Sequence, residues 1–412
     1  MTQLETLIQT LCPNGVKYVK LGEVGEFYGG LSGKTKEDFK DGNAKFITYK
    51  NIYSNLSLDI DVEDKVLVAE GEKQNTVQYG DVLFTGSSET PDECGMSSVL
   101  TTPTDEKLYL NSFCFGWRLF DKSIYLPDFL KHLFRCSSIR KEIGKTASGV
   151  TRFNVSKKKM QELQIPLPPL AVQSEIVRIL DKFTLYKSEL AAELAARLQQ
   201  YEYYRDQLFT FDDTVKYKKL GEVCHFQNGF SFQSSKFEKV GSPILRITNI
   251  KDRQIDDDSL VFFNPKDYKE NLEAYKVIPN RIVVAMSGAT TGKIGINKSD
   301  NTYYLNQRVG MFVPNETILN NQYLYHFLSS KSNELYMMAG GGAQPNLSSK
   351  AVCEKLLIPL PPLSEQERIV SILDRFDKLC HDIREGLPAE IDLRQKQYEH
   401  YRDRLLTFEV AK

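Results

Sequence analysis

Apolar residues change their spacing along this chain, and the changes divide it. Ile176, Ile179, Leu180, Phe183, Leu190, Leu194, Leu198, Tyr201 and Leu208 fall on three-, four- and seven-residue steps, the pattern of a helix with one apolar seam. Ile369, Ile372, Phe376, Leu379 and Ile383 do the same until Gly386 and Pro388; there the helix breaks, and a new one starts with Pro388 near its first position. Elsewhere the apolar residues form short β-branched and aromatic runs between Gly, Asn, Asp and Pro, which predicts β-rich globular regions. Short helices are expected over residues 3–11, 127–143 and 320–338. Neither long seam is stable in water, so the two helical spans are expected to pack on each other as an antiparallel coiled coil. The fold class is therefore α+β, with two β-rich heads and two long helices, and the antiparallel arrangement would put the heads at opposite ends.

The same pattern repeats internally. Residues 165–183 read IPLPPLAVQSEIVRILDKF and residues 358–376 read IPLPPLSEQERIVSILDRF, 193 positions later. QYEYYRDQLFTF at 200–211 returns as QYEHYRDRLLTF at 397–408, offset by 197. YVKLGEV (18–24) and YKKLGEV (217–223) read as strands opening each head. Each follows a helix, so the repeat has a circular character, with the last helix standing where the tail of the long helix stands before the second head. Within the heads, 46–52 matches 244–250, 80–87 matches 280–287, Leu110 matches Leu305, and 149–154 matches 342–346. Four segments follow: a first head (1–164), a central helical region (165–211), a second head (212–357) and a C-terminal helical region (358–412). A long repeat of this kind shows how a chain is built.

Composition narrows the function classes. At 412 residues with 41% apolar and 26% charged residues, the chain reads as a soluble protein of two domains. No apolar run reaches the roughly 20 residues of a membrane span, and the N-terminal stretch lacks the basic region of a secretory signal. Seven cysteines without a paired spacing suggest a reduced, cytoplasmic protein without a zinc knuckle. A net charge of −1 means that any nucleic-acid binding must use local patches.

Catalytic motifs fail on inspection. Gly29 to Thr35 (GGLSGKT) has three residues between Gly29 and Gly33 where a phosphate-binding loop needs four, and Gly288 to Lys293 fails likewise, with Ile294 in the magnesium-holding place. Asp92 with Asp105, Glu106 and Lys107 imitates a nuclease carboxylate set, but the second half has no equivalent. No Asn/Asp-Pro-Pro-aromatic tetrapeptide supports an amino-methyltransferase centre. His132, His225, His326, His381 and His400 show no metal spacing. The chain reads as non-catalytic.

What remains are polar, Gly-rich loops at corresponding places of both heads. In the first they carry Ser32, Lys34, Thr35, Lys36, Ser87, Ser88, Lys145, Thr151, Arg152 and Asn154. In the second they carry Asn228, Ser231, Gln233, Ser287, Thr290, Thr291, Lys293, Gln307, Arg308, Gln344 and Asn346. Arg and Lys bind guanine O6 and N7, Asn and Gln bind adenine, and hydroxyls and lysines hold phosphates. These are the candidate DNA contacts. The competing reading is a coiled-coil adaptor with two protein-binding heads.

The LGEV openers, the paired IPLPPLxxQxxIVxILDxF blocks, the QYExYRDxLxTF ends and the EGLPAEI break together resemble the DNA-specificity subunit of type I restriction-modification enzymes, over nearly the whole chain. The resemblance implies that each head is a target-recognition domain reading one half of a bipartite duplex sequence. It further implies helices that dock two methyltransferase subunits, and an assembly that recruits restriction and translocation subunits. Tyr201, Tyr204, Arg205, Tyr398, Tyr401 and Arg402, in the QYExYRD ends, are the expected docking residues. S-adenosylmethionine, ATP and magnesium would then belong to the partners, with no cofactor on this chain. The central helix, roughly 57 Å from Val172 to Phe209 at 1.5 Å per residue, would set the length of the non-specific gap. Deleting residues 192–195 removes roughly 6 Å of helix, so the gap should shorten while both half-sites keep their sequence; an unchanged gap in the methylated motif would contradict this.

Overall fold

The computed structural model of the chain describes residues 3–251, 253–340, 345–381 and 386–411. They form two compact units. The first comprises residues 1–189 and 391–412, and the second residues 190–390. The units therefore cut across the four segments read from the sequence, because each takes in part of both helical regions.

In the first unit the chain enters through the helix Gln3–Leu11 and the strand Lys17–Lys20, which pairs antiparallel with Gln164–Leu167. The head is built on a four-stranded antiparallel sheet in the order Gly25–Gly29, Cys114–Leu119, Val82–Thr85, Ser97–Val99. A second small sheet pairs Ala44–Ile47 parallel to Leu108–Leu110. Phe84, Phe115, Trp117 and Phe134 fill the main core together with Val172, Ile176 and Leu180 of the long helix Leu170–Leu208. The C-terminal helix Leu387–Leu405 adds Tyr398 to the same core, and Leu406 follows it.

The second unit repeats this plan with different detail. Tyr217–Lys219 pairs with Leu357–Pro359, and the head carries a six-stranded sheet around Val309–Pro314 and Ile282–Ala285. Ser242–Leu245 runs parallel to Tyr303–Leu305, as the matched strands do in the first head. Its core joins Tyr201 and Phe209 from the end of the long helix to Ile369 and Leu373 of the helix Leu363–His381.

Helix contacts in the first unit are antiparallel: Phe183 stacks on Tyr401 at 5.1 Å, and Lys187 bonds Gln395 at 2.7 Å. As one helix advances, the partner position recedes. In the second, Tyr201 and Tyr204 both meet Phe376. The predicted seam is buried at Ile176, Leu180 and Tyr201 and half-buried at Leu190, Leu194 and Leu198. Pro168 and Pro169 precede the helix, where their lack of an N–H and fixed φ do no harm. Pro388 is the second residue of its own helix, where its missing donor is one of the orphans of a helix start. The residues between Gly386 and the preceding helix lie outside the described set.

The circular character of the repeat is physical. Val16 donates its amide to Glu409 O at 2.8 Å, and Ala411 donates to Val16 O at 3.0 Å. In the first unit these bonds hold together what the continuous chain from Phe211 to Tyr217 joins in the second.

One sequence expectation needs correction. LGEV does not continue a strand in either head: Leu21–Val24 and Leu220–Val223 are single helical turns between two strands. The reason is packing. A Cβ on Gly22 would sit 3.1 Å from the Gln161 Cβ, and one on Gly221 2.9 Å from the Cys353 Cβ. The glycine lets that turn lie against the segment that leads into each IPLPPL block. The matched runs 46–52 and 244–250 likewise begin as strands and end differently, in the helix Tyr49–Ser54 capped by Thr48 and in a short turn over Ile247–Asn249.

Candidate nucleic-acid interface

Each head is tied to its helical base by the same two devices. The first is a buried glutamine. Gln173 accepts from the Leu126 amide at 2.9 Å and donates to Ile124 O and Pro168 O at 2.9 and 2.8 Å. Gln366 makes the equivalent bonds to the Asn320 amide, Ile318 O and Pro361 O at 2.8, 3.0 and 2.9 Å. The second device is a buried histidine on the head helix. His132 meets Asp181 at 2.8 Å and Tyr398 Oη at 2.9 Å, and His326 meets Asp374 at 2.7 Å.

Burial pulls the His132 pKa below the ordinary imidazole value of 6.5; Asp181 pulls the other way but shares its charge with Lys131. The unfolded chain therefore binds this proton first as pH falls, and the first unit loses stability on acidification from about 6.5 downward. Burial raises the Asp181 pKa, but its bonds to His132 and Lys131 lower it by more; it titrates below 3.8 and leaves this window untouched. Melting of His132→Gln should accordingly depend less on pH between about 7.5 and about 5.5 than that of the parent chain; parallel slopes would show that other groups carry the effect.

Above these ties, the loops named from the sequence separate into side chains consumed by the fold and side chains left outward. Lys34 is mostly buried and pairs with Glu72 at 2.6 Å, and bonds from Lys34 and Gln74 help hold that carboxyl at about 2. Thr35, at the N-cap of the short turn Lys36–Phe39, donates its hydroxyl and its amide to the Asp38 carboxylate at 2.8 and 2.7 Å. The Ser32 amide donates to Gln74, Lys36 is exposed, and Lys145 is an exposed partner of Glu142. Ser87 is buried and stands opposite Asn154 in a strand pair; Ser88 donates to Glu93 at 3.1 Å. Thr151, Arg152 and Asn154 are exposed.

The second head repeats that strand contact. Ser287 bridges to Asn346 as Ser87 pairs with Asn154, so residues matched by sequence alone face each other in both heads. Thr291 is buried and donates to Gly288 O at 2.7 Å, so its hydroxyl belongs to the loop itself. Ser287 and Thr290 are half-buried beside it. Ser231 donates to Gln307 at 2.9 Å, and the Gln233 amide donates to Tyr268 Oη at 3.0 Å. Asn228, Gln307, Asn346, Lys293 and Arg308 are exposed, and the last two have no carboxylate partner among the described residues. Gln344 lies outside the described residues.

Sequence reasoning missed the aromatic contribution. Tyr49, Tyr53, Phe113, Ser87, Glu93 and Arg152 line a cleft of about 600 Å³ on the first head. Tyr49 and Tyr53 stack at 6.2 Å, and Phe113 is 61% exposed. Phe113 lies three residues after Leu110, which the repeat matches to Leu305, but nothing in the spacing places it beside Arg152.

The six residues expected to dock partners also divide. Tyr201 and Tyr398 are core residues at 2% and 4% exposure, and Arg402 is buried beside Tyr398 and paired with Asp403 at 2.9 Å. Their side chains pack their own units. Tyr204 and Tyr401 are exposed, and Arg205 is half-buried against Tyr201. Tyr203, which the sequence reading passed over, is 62% exposed. Among the described residues no group of three or more His, Cys, Asp or Glu side chains is placed to hold a metal ion. Among the same residues no helix is long and apolar enough to cross a membrane.

A duplicated α+β chain, in which two unlike polar heads stand on like helical bases, defines the class of a two-headed recognition scaffold. A family model for the type I restriction modification DNA specificity domain matches residues 13–200 and again residues 212–393, and the chain belongs to that family. It is 38% identical over 268 residues to the EcoR124I/EcoR124II specificity subunit of Escherichia coli, an alignment covering 62% of this chain and 65% of that relative. A putative type I specificity subunit of Haemophilus influenzae is 36% identical over 270 residues, covering 63% and 68%. The fold matches a chain from a structural study of complex assembly in the type I R-M system, with TM-score 0.66 at 18% identity over 96% of this chain and 98% of that one. It also matches the S subunit of M. genitalium, with TM-score 0.51 at 16% identity, 95% of this chain and 96% of that one.

Proposed function

We propose that this chain is the non-catalytic specificity subunit of a type I restriction-modification complex, and that each head reads one half of a bipartite duplex sequence. The observation that carries this is the double match of the DNA specificity domain onto two units with similar bases and dissimilar loops. Like bases suit two copies of one partner, and unlike loops suit two different half-sites. The loop chemistry supports base and phosphate contacts, through Lys36, Arg152 and Asn154 on the first head and Lys293, Gln307, Arg308 and Asn346 on the second. The helices dock two methyltransferase subunits through exposed Tyr204 and Tyr401 with Arg205, and restriction and translocase subunits join that assembly. S-adenosylmethionine, ATP and magnesium are held by those partners, and the complex works in the cytoplasm.

Binding of duplex DNA by this chain with its methyltransferase subunit, measured by anisotropy, tests the proposal. Affinity should fall at least about a hundredfold between about 50 and about 200 mM salt as phosphate contacts are lost. An absence of duplex binding, with the methyltransferase shown active beside another specificity chain, would favour protein-binding heads instead.

A further inference from the structure

The first head holds four arginines, and three are spent on the fold. Arg118 pairs with Asp81, while Arg135 and Arg140 donate to backbone carbonyls. Arg152 is different. Its Nε donates to Ser87 Oγ at 3.0 Å, and its guanidinium lies over the Phe113 ring, 5.7 Å from the centroid. No carboxylate or carbonyl partner for its terminal nitrogens occurs among the described residues. Ser87 is itself buried in the strand pair with Phe153–Val155. The loop before Arg152 is also fixed: a Cβ on Gly149 would run into the Arg152 carbonyl, so only glycine closes that turn.

From this geometry we infer that the first head reads a guanine, with Arg152 as the base-reading residue and Ser87 and Phe113 as its positioning groups. The inference rests on the DNA-reading function proposed above. A guanidinium fixed by one nitrogen and one face offers its remaining N–H pair in a plane, which matches guanine O6 and N7. The surroundings favour a base edge over a phosphate. Glu93, exposed and tied to Tyr53 and Ser88, lines the same cleft, as does exposed Glu89, and the two outnumber the one lysine there, Lys50. Two carboxylates repel a phosphate but not the edge of a base pair, and a carboxylate accepts from the cytosine amino group. The rings of Phe113, Tyr49 and Tyr53 supply apolar surface suited to bases.

Methylated-motif sequencing of cells carrying the chain with its methyltransferase subunit separates the outcomes. The parent chain should show an invariant G·C pair in one half-site. Arg152→Lys keeps the charge but loses the planar fork, and should relax that one position about tenfold or more while the other half-site stays strict. Phe113→Ala should relax the same position more weakly. Unaltered motifs in both variants would overturn the inference while leaving the DNA-reading function standing. A uniform loss of methylation at all sites with unaltered base preference would also overturn it, making Arg152 a phosphate contact. A parent chain with no bipartite motif would overturn the function and this inference with it.

Discussion

Asp81→Ala should destabilise the first unit by about 3–5 kcal/mol, the cost of leaving a buried charge partner unpaired. The Asp81 side chain is fully buried and gathers four donors: Arg118 Nε at 2.9 Å, Arg118 Nη2 at 2.6 Å, Tyr28 Oη at 2.7 Å and the Gln78 amide at 2.8 Å. Arg118 in turn lies over the Tyr28 ring at 4.8 Å and donates to Thr76 O. Removing the carboxylate strands a guanidinium, a phenol and an amide at once. The repeat supplies a control: the residue matched to Asp81 is Arg281, whose one ionic contact among the described residues, with the largely exposed Glu316, is 3.9 Å long. Arg281→Ala should therefore cost less than about 1 kcal/mol. Urea unfolding followed unit by unit compares the two, and equal losses would contradict the assignment.

The second large effect is expected at the glutamines. Gln173→Ala and Gln366→Ala should each cost about 3 kcal/mol, because each leaves one amide and two carbonyls without their partner in a dry site. Both side chains are fully buried, and each joins the start of a head helix to the start of its base helix. The functional consequence should be local. Gln173→Ala should loosen recognition of one half-site and Gln366→Ala that of the other, since each tie lies within one unit. Hydrogen exchange over residues 124–133 and 318–328 checks the structural part, and protection unchanged in both segments would show that the ties are dispensable.

These ties show where sequence and structure part. The helices were legible because an apolar seam is a one-dimensional signal, and so was the repeat, since identical letters recur at a fixed offset. Gln173 and Gln366 were visible as letters in both IPLPPLxxQ blocks, yet their role needs the carbonyls of residues 124 and 318, which no local pattern brings near. LGEV misled because each seven-residue run, 18–24 and 217–223, was read as one strand, whereas the close approach of Gln161 and Cys353 selects a helical turn. At the candidate interface, Lys34 and Thr291 had suitable chemistry, but their bonds to Glu72 and the Gly288 carbonyl spend it. Arg152 had the same chemistry and keeps it. Phe113, 39 positions away, helps to hold it, and that is a tertiary fact.

The measurement that bears most directly on the central claim is long-read sequencing of methylated adenines in DNA from cells expressing this chain with its neighbouring methyltransferase subunit. The account predicts a bipartite motif with two unlike half-sites and a fixed gap. Methylation at a single undivided motif would contradict it, as would none at all beside a partner active with another specificity chain.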